Sequence, residues 1–178
     1  LEMSSYQLEL TPSMTFDVAV LLNVSADHLD RHGGMDGYIA AKRIIFQRQT
    51  KPRAAVIGMD DDICRSICKE LKAMDEQTVI PVSGHDRVRG GVYAIDGVLY
   101  DDIDGTETPV CNLRQNPNLL GEHNGQNAAA AYAAAKTAGV APHAIMACLQ
   151  SPPKPKSVGC AQRPERGGSL RSGKDRWG

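Results

Sequence analysis

The sequence predicts an α/β fold: a mostly parallel sheet flanked by helices, with a small antiparallel sheet added. Three observations carry that prediction. The run Phe16-Asp17-Val18-Ala19-Val20-Leu21-Leu22 is short, apolar and rich in β-branched residues, as a strand buried in a parallel sheet must be. Two further runs, 54–58 and 78–83, are each preceded by a stretch of helical character. Residues 92–100 alternate around Asp96-Gly97, a dipeptide favoured in tight hairpin turns.

Composition narrows the partners. A net charge of -1 gives no bulk attraction to nucleic acid or to a membrane surface, and neither is expected as a partner. Aromatic residues make up only 4%, so few platforms exist for stacking on bases, while 42% hydrophobic content supports a real core. The cysteines, Cys64, Cys68, Cys111, Cys148 and Cys160, are odd in number and scattered, which fits free thiols in a reducing compartment. No run approaches the ~18 apolar residues of a membrane span. Leu1 does not read as a native start, and the chain is expected to be an internal fragment.

Taken in order, residues 2–10 alternate partly and predict a strand closed by Thr11-Pro12. A strand over 16–23 follows, then a helix over 34–49 with Tyr38, Ala41, Ile45 and Arg48 at helical spacing. Pro52 lies between that helix and the strand 54–58. Asp60, Asp61 and Asp62 open a helix to about Met74, where capping outweighs a metal site as the reason for three carboxylates. After the strand 78–83, residues 86–111 predict the antiparallel sheet, and 112–118 a polar loop. The alanine-rich stretch 121–139 predicts the clearest helix, stopped by Gly139, with a second helix over 142–150. Residues 151–178 are rich in Pro, Gly, Lys and Arg. They are expected to be a disordered or aberrant tail outside the domain 1–150.

The chemistry concentrates in two places. Asp27, His28, Asp30, Arg31 and His32 follow a buried strand, at the carboxyl edge where open α/β sheets bind ligands. Asp30 and Arg31 suggest a local ion pair or cap; His32 suggests no role. His123, Asn124 and Asn127 cluster at a helix start, whose free N–H groups suit an anion or a polar base edge. The competing use of an asparagine there is as the N-cap.

The segment N-V-S-A-D-H-L-D-R-H followed by Y-I-A-A-K resembles the central domain of the Mur ligases. The opening block E-x-S-S-Y-Q-L, from Glu2, is similar to the D-glutamate-adding branch of that family. Gly121-Glu122-His123-Asn124-Gly125-Gln126-Asn127 resembles its G-x-H-N-x-x-N segment. The resemblance implies an incomplete, P-loop NTPase-like central domain using ATP and Mg²⁺. It places Glu2, His28 and Lys42 at the metal, with Asp27 orienting His28. Lys42 would be carbamylated by CO₂, turning an ammonium into an anionic carbamate, and would act with His28 as the catalytic pair. His123, Asn124 and Asn127 would stand near the ATP adenine. The implied substrates are UDP-N-acetylmuramoyl-L-alanine and D-glutamate, joined through an acyl phosphate in peptidoglycan synthesis by a cytoplasmic monomer.

Departures from the family pattern are visible. Gly58-Met59 replaces the usual asparagine start of an Asn-x-Asp-Asp turn. The tail lacks the expected phenylalanine-glycine-leucine turn, histidine-arginine pair and aspartate. No G-x-x-x-x-G-K-[ST] occurs in the chain, and that phosphate cradle is expected before Leu1. Two alternatives therefore stand beside the ligase: an inactive fragment retaining only the fold, and a related amide-bond ligase such as a folate polyglutamate ligase. The E-x-S-S-Y-Q-L block argues against the second. A metal hydrolase built on Asp27-His28 is weaker still, with one histidine ligand nearby.

Overall fold

The computed structural model describes residues 1–26, 29–119 and 121–151. Among the described residues a six-stranded sheet runs in the order β1-β2-β3-β4-β5-β6. Strands β1 (Phe16–Leu21), β2 (Gln49–Gly58), β3 (Thr78–Ser83) and β4 (Val92–Ile95) are parallel. Strands β5 (Val98–Asp101) and β6 (Thr108–Asn112) return antiparallel. The antiparallel part is thus not a separate sheet: Val82 pairs with Val92 and Ser83 with Tyr93, joining it to the parallel half. Asp96 and Gly97 turn the β4–β5 hairpin with φ of 50° and 72°, both left-handed as a tight primed turn requires.

Among the described residues there are six helices, α1 (Ser5–Leu10), α2 (Leu29–His32), α3 (Met35–Gln47), α4 (Asp62–Met74), α5 (Glu122–Thr137) and α6 (Pro142–Gln150); α3 to α6 pack against strands, and α1 and α2 pack on α3. Because side chains alternate along a strand, the core divides in two. Ala19, Leu21, Ala55 and Ile57 face Tyr38 and Phe46 of α3 and Cys64, Ile67, Cys68 and Leu71 of α4. Val56, Ile80, Val82, Val92 and Ala94 face Ala128, Ala129, Tyr132 and Ala133 of α5. The alanines let α5 lie close to the strands, which is why one long helix can span most of that face.

Residues 2–10 do not form the predicted strand. Ser4 and Gln7 make a reciprocal capping box, with Ser4 N donating to Gln7 Oε1 at 2.9 Å and Gln7 N donating to Ser4 Oγ at 3.3 Å. The S-x-x-Q signature outweighed the weak alternation. Arg48, after α3, donates to Leu8 O at 2.7 Å and to Thr11 O, tying down the far end of α1. The helix predicted over 34–49 splits in function: α3 ends at Gln47, and β2 begins at Gln49, earlier than expected. At α4, Asp61 is the cap, accepting from Cys64 N at 2.8 Å.

Cys64, Cys68 and Cys111 are buried and free, and Cys148 is exposed. Burial, with the neighbouring Asp61 carboxylate, pushes the Cys64 thiol up to about 12. A thiolate-dependent reagent at pH 8 is therefore expected to label Cys148 in the folded chain and to spare Cys64, Cys68 and Cys111 until denaturant is added. Peptide-by-peptide mass spectrometry checks this; prompt labelling of Cys64 would contradict the packing of α4. Cys160 and the rest of the predicted tail after Ser151 lie outside the described residues. Among the described residues no helix is long and apolar enough to cross a membrane.

Candidate functional site

Four parallel strands end at one edge of the sheet. There lie residues 22–26 after β1, Gly58 to Asp60 after β2, Ser83 to His85 after β3, and the Asp96-Gly97 turn after β4. The first turns of α5 stand over the same edge: a Cβ on Gly125 would lie 3.1 Å from both Ala94 Cβ and Gly84 O. A side chain there would need its neighbours to give by a few tenths of an ångström, so glycine favours this close approach of helix to strand ends. Asp60 is not a helix cap. Its carboxylate accepts from Ser83 Oγ at 2.5 Å and from Gly84 N at 2.8 Å, tying the ends of β2 and β3 together. Ser83 Oγ in turn accepts from Asp86 N at 2.8 Å. Beside this tie, Gly84, His85, Ala94, Arg114, Gly121 and Gly125 help line a cavity of about 360 Å³.

The predicted nucleotide residues share the start of α5, although none of them lines this cavity. His123 and Asn127 are exposed one turn apart on α5, and Asn124 is half-buried between them. Neither asparagine is the N-cap. Gly121 holds that position and, having no side chain, makes no cap bond of its own. The capping explanation of these asparagines is therefore set aside. Sequence reasoning passed over Gln126, which is 8% exposed and whose Nε2 has no hydrogen-bond partner among the described residues. That nitrogen lies against Gly58, where an added Cβ would come within 2.8 Å of it. An unpaired buried donor costs about 1–3 kcal/mol, so it marks a place where an acceptor oxygen is favoured.

The predicted metal residues are placed in part. Glu2 is exposed just before α1, and α1 packs against α3. Lys42 is half-buried on α3, with Nζ 5.5 Å from the centre of the Tyr38 ring. It makes no ion pair among the described residues. Asp27 and His28 lie outside the described residues. Among the described residues no three His, Cys, Asp or Glu side chains converge as a metal site. An exposed carboxylate suits Mg²⁺, which takes hard oxygen ligands and keeps several waters. A lysine ammonium does not suit it, and the donor set fits the ion only with Lys42 carbamylated.

Two readings of the segment after β1 are corrected. Arg31 does not pair with Asp30; it lies 3.6 Å from Glu9 and 4.5 Å above the Tyr6 ring, both on α1. His32, read as having no role, has a side chain only 2% exposed. Its Nε2 is 3.0 Å from Ser5 Oγ and its Nδ1 3.3 Å from Glu9 Oε1. The i, i+4 spacing of Ser5 and Glu9 was the available sequence signal, and it is visible only once the segment is known to be helical.

A parallel sheet with a polar carboxyl edge, and a helix start carrying amide side chains over it, defines an α/β domain whose candidate ligand edge lies where open sheets of this class bind ligands. Residues 1–135 match the Mur ligase middle domain, and the chain belongs to the Mur ligase family. It is 51% identical over 170 residues to the UDP-N-acetylmuramoylalanine--D-glutamate ligase of Caulobacter sp. (strain K31), covering 96% of this chain and 35% of that one. The enzyme of the same name from Paramagnetospirillum magneticum is 50% identical over 153 residues, covering 86% and 32%. The chain spans about a third of the length of these relatives. A crystal structure of MurF from Acinetobacter baumannii superposes with a TM-score of 0.53 at 24% identity, over 85% of this chain and 32% of that one, and supports the fold.

Proposed function

We propose that the chain is the middle, ATP-binding part of a ligase that joins D-glutamate to UDP-N-acetylmuramoyl-L-alanine in peptidoglycan synthesis. The observation that carries this reading is the 51% identity, across nearly the whole chain, to a ligase named for those substrates. The site agrees in chemistry. His123, Asn124 and Asn127 offer donors and acceptors at a helix start whose N-cap is a glycine, suited to the nucleotide. Glu2, His28 and a carbamylated Lys42 would hold Mg²⁺, which would supply positive charge against the phosphoryl group in transfer. A substrate carboxylate oxygen attacks the γ-phosphorus of ATP, forming an acyl phosphate and releasing ADP. The D-glutamate amine then attacks that carbonyl, giving the amide and phosphate. Both substrates and ATP are cytoplasmic metabolites, which places the reaction in the cytoplasm, and the reading needs only one copy of the chain.

One observation favours a second reading for the 178 residues alone. They contain no G-x-x-x-x-G-K-[ST] cradle, and phosphoryl transfer by this route requires one. The isolated chain is expected to release no ADP that depends on both substrates. Calorimetric titration with Mg·ATP separates the readings. Micromolar binding that weakens on Asn127→Ala supports a surviving nucleotide site. Absence of binding leaves the chain as a fold without its ligand.

A further inference from the structure

The Gln126 side chain turns in from the opening turns of α5 toward the carboxyl ends of β1 and β2. It is 8% exposed, and its Nε2 has no hydrogen-bond partner among the described residues. Beneath it lies backbone. A Cβ placed on Gly58 would sit 2.8 Å from that nitrogen and 2.1 Å from the carbonyl oxygen of Leu22. Position 58 is therefore bare, and the carboxamide fills the space above it. Two other unpaired atoms, Gln49 Oε1 and Gln77 Nε2, lie at the amino ends of β2 and β3, away from this edge.

The surroundings fix which end of the amide is nitrogen. The buried atom shares its space with the Leu22 carbonyl oxygen, and a second oxygen there would be repelled. The donor is thus present, out of water and unused. Buried polar atoms are as a rule paired, and Asp60 and Ser83 at the neighbouring strand ends obey that rule in bonds to each other and to Gly84 N and Asp86 N. The setting also favours negative charge. α5 runs for 16 residues from a glycine N-cap. Helical side chains lean toward the N-terminus, which carries the Gln126 amide back toward the first turn, the positive end of the helix dipole. Asn23, just past β1, and His123 and Asn127 on α5 are exposed, so a ligand has open surface beside it.

We propose that Gln126 is a ligand-binding residue: its Nε2 is a donor held for an anionic oxygen, phosphoryl or carboxylate, brought to the carboxyl ends of β1 and β2 at the start of α5. The proposal rests on the ligase reading given above, which brings both a triphosphate and a carboxylate to this edge. A donor that is already desolvated gives up no water and breaks no bond when an acceptor arrives, so the new bond counts in full toward binding. The last torsion of a glutamine is broad, which lets the carboxamide turn to meet the oxygen.

The test uses the 178-residue chain. Inorganic triphosphate, N-acetyl-L-alanine and Mg·ATP are the probes in calorimetric titration, and urea unfolding reads stability. Gln126→Met keeps the length and removes the donor. It is expected to weaken binding of one of the two simple anions about 10-fold or more, the scale of one bond to a charged group. Weakened triphosphate identifies a phosphoryl oxygen; weakened N-acetyl-L-alanine identifies a carboxylate. Gln126→Glu keeps the shape but, ionised, only accepts, and should weaken the same anion at least as much. The urea midpoint of Gln126→Met should equal or exceed that of the parent, because the change removes an unpaired polar atom from a buried place. A lower midpoint shows that the amide already has a partner, and overturns the proposal. Unchanged affinity of Gln126→Met for both anions, with Mg·ATP binding still weakened by Asn127→Ala, overturns the role of Gln126 and leaves the nucleotide reading standing. Failure of the parent to bind any of the three probes overturns both together.

Discussion

Asp101→Ala is expected to lower the unfolding free energy by about 2–4 kcal/mol, the cost of removing one partner from a largely buried charged network. The Asp101 carboxylate ends β5 and is 8% exposed. Its Oδ2 accepts from Tyr132 Oη at 2.9 Å and from Lys136 Nζ at 2.7 Å, so it fastens the antiparallel end of the sheet to α5. Lys136 is 24% exposed and keeps Asp104 at 3.0 Å, which holds the loss below that of a fully buried pair. The same network sets an alkaline limit. Burial, then the bond to Asp101, pushes the Tyr132 phenol up to about 12. Burial alone would lower Lys136, but its bonds to Asp101 and Asp104 outweigh that and raise it. Both groups are raised in the folded state. Their stabilisation is complete below the ordinary values near ~10 and is lost as pH rises toward 12. Urea midpoints at pH 8 and pH 11 should therefore converge between the parent and Asp101→Ala. A gap of the same size at both pH values would show that the network does not titrate as its geometry requires.

Lys42→Arg, in a polypeptide that joins this segment to a phosphate-binding loop, is expected to lower kcat on the order of 100-fold or more, the scale of losing one preorganised charge contact. The argument rests on the proposed carbamate. An ammonium half-buried beside an aromatic ring cannot bind a cation, whereas its carbamate presents two anionic oxygens. Arginine keeps the positive charge and the length but cannot take up CO₂ in this way. Lys42→Arg and Lys42→Ala should therefore be equally impaired, with similar KM for ATP. Arginine activity within threefold of the parent would show that positive charge, not its reversal, is what position 42 supplies.

Much of the fold was legible in the chain because it rests on local signals. The runs 54–58 and 78–83 are apolar and bounded, and they became β2 and β3 in the parallel sheet. Asp96-Gly97 turned as its backbone preference demands, and the alanines of α5 formed the longest helix. The first ten residues were misread because a short capped helix and an alternating strand look alike when the apolar residues are few. The site was legible unevenly. His123, Asn124 and Asn127 lie together on one helix start, so their grouping needed only helical spacing. Gln126 escaped notice because its significance depends on Gly58, far away in sequence, offering no side chain against it.

By itself the sequence determined most of the elements, the mostly parallel character of the sheet and the family, since period, turn residues and motif blocks are written locally along the chain. Only the tertiary structure decided which carboxylates do what. Asp61 caps a helix while its neighbour Asp60 ties two strands, and Arg31 reaches Glu9 rather than Asp30. It alone turned His32 into a junction of three helices. The reason is physical: a polar side chain takes its role from the partner that desolvation leaves within reach, and that partner is chosen by packing between segments distant in the chain.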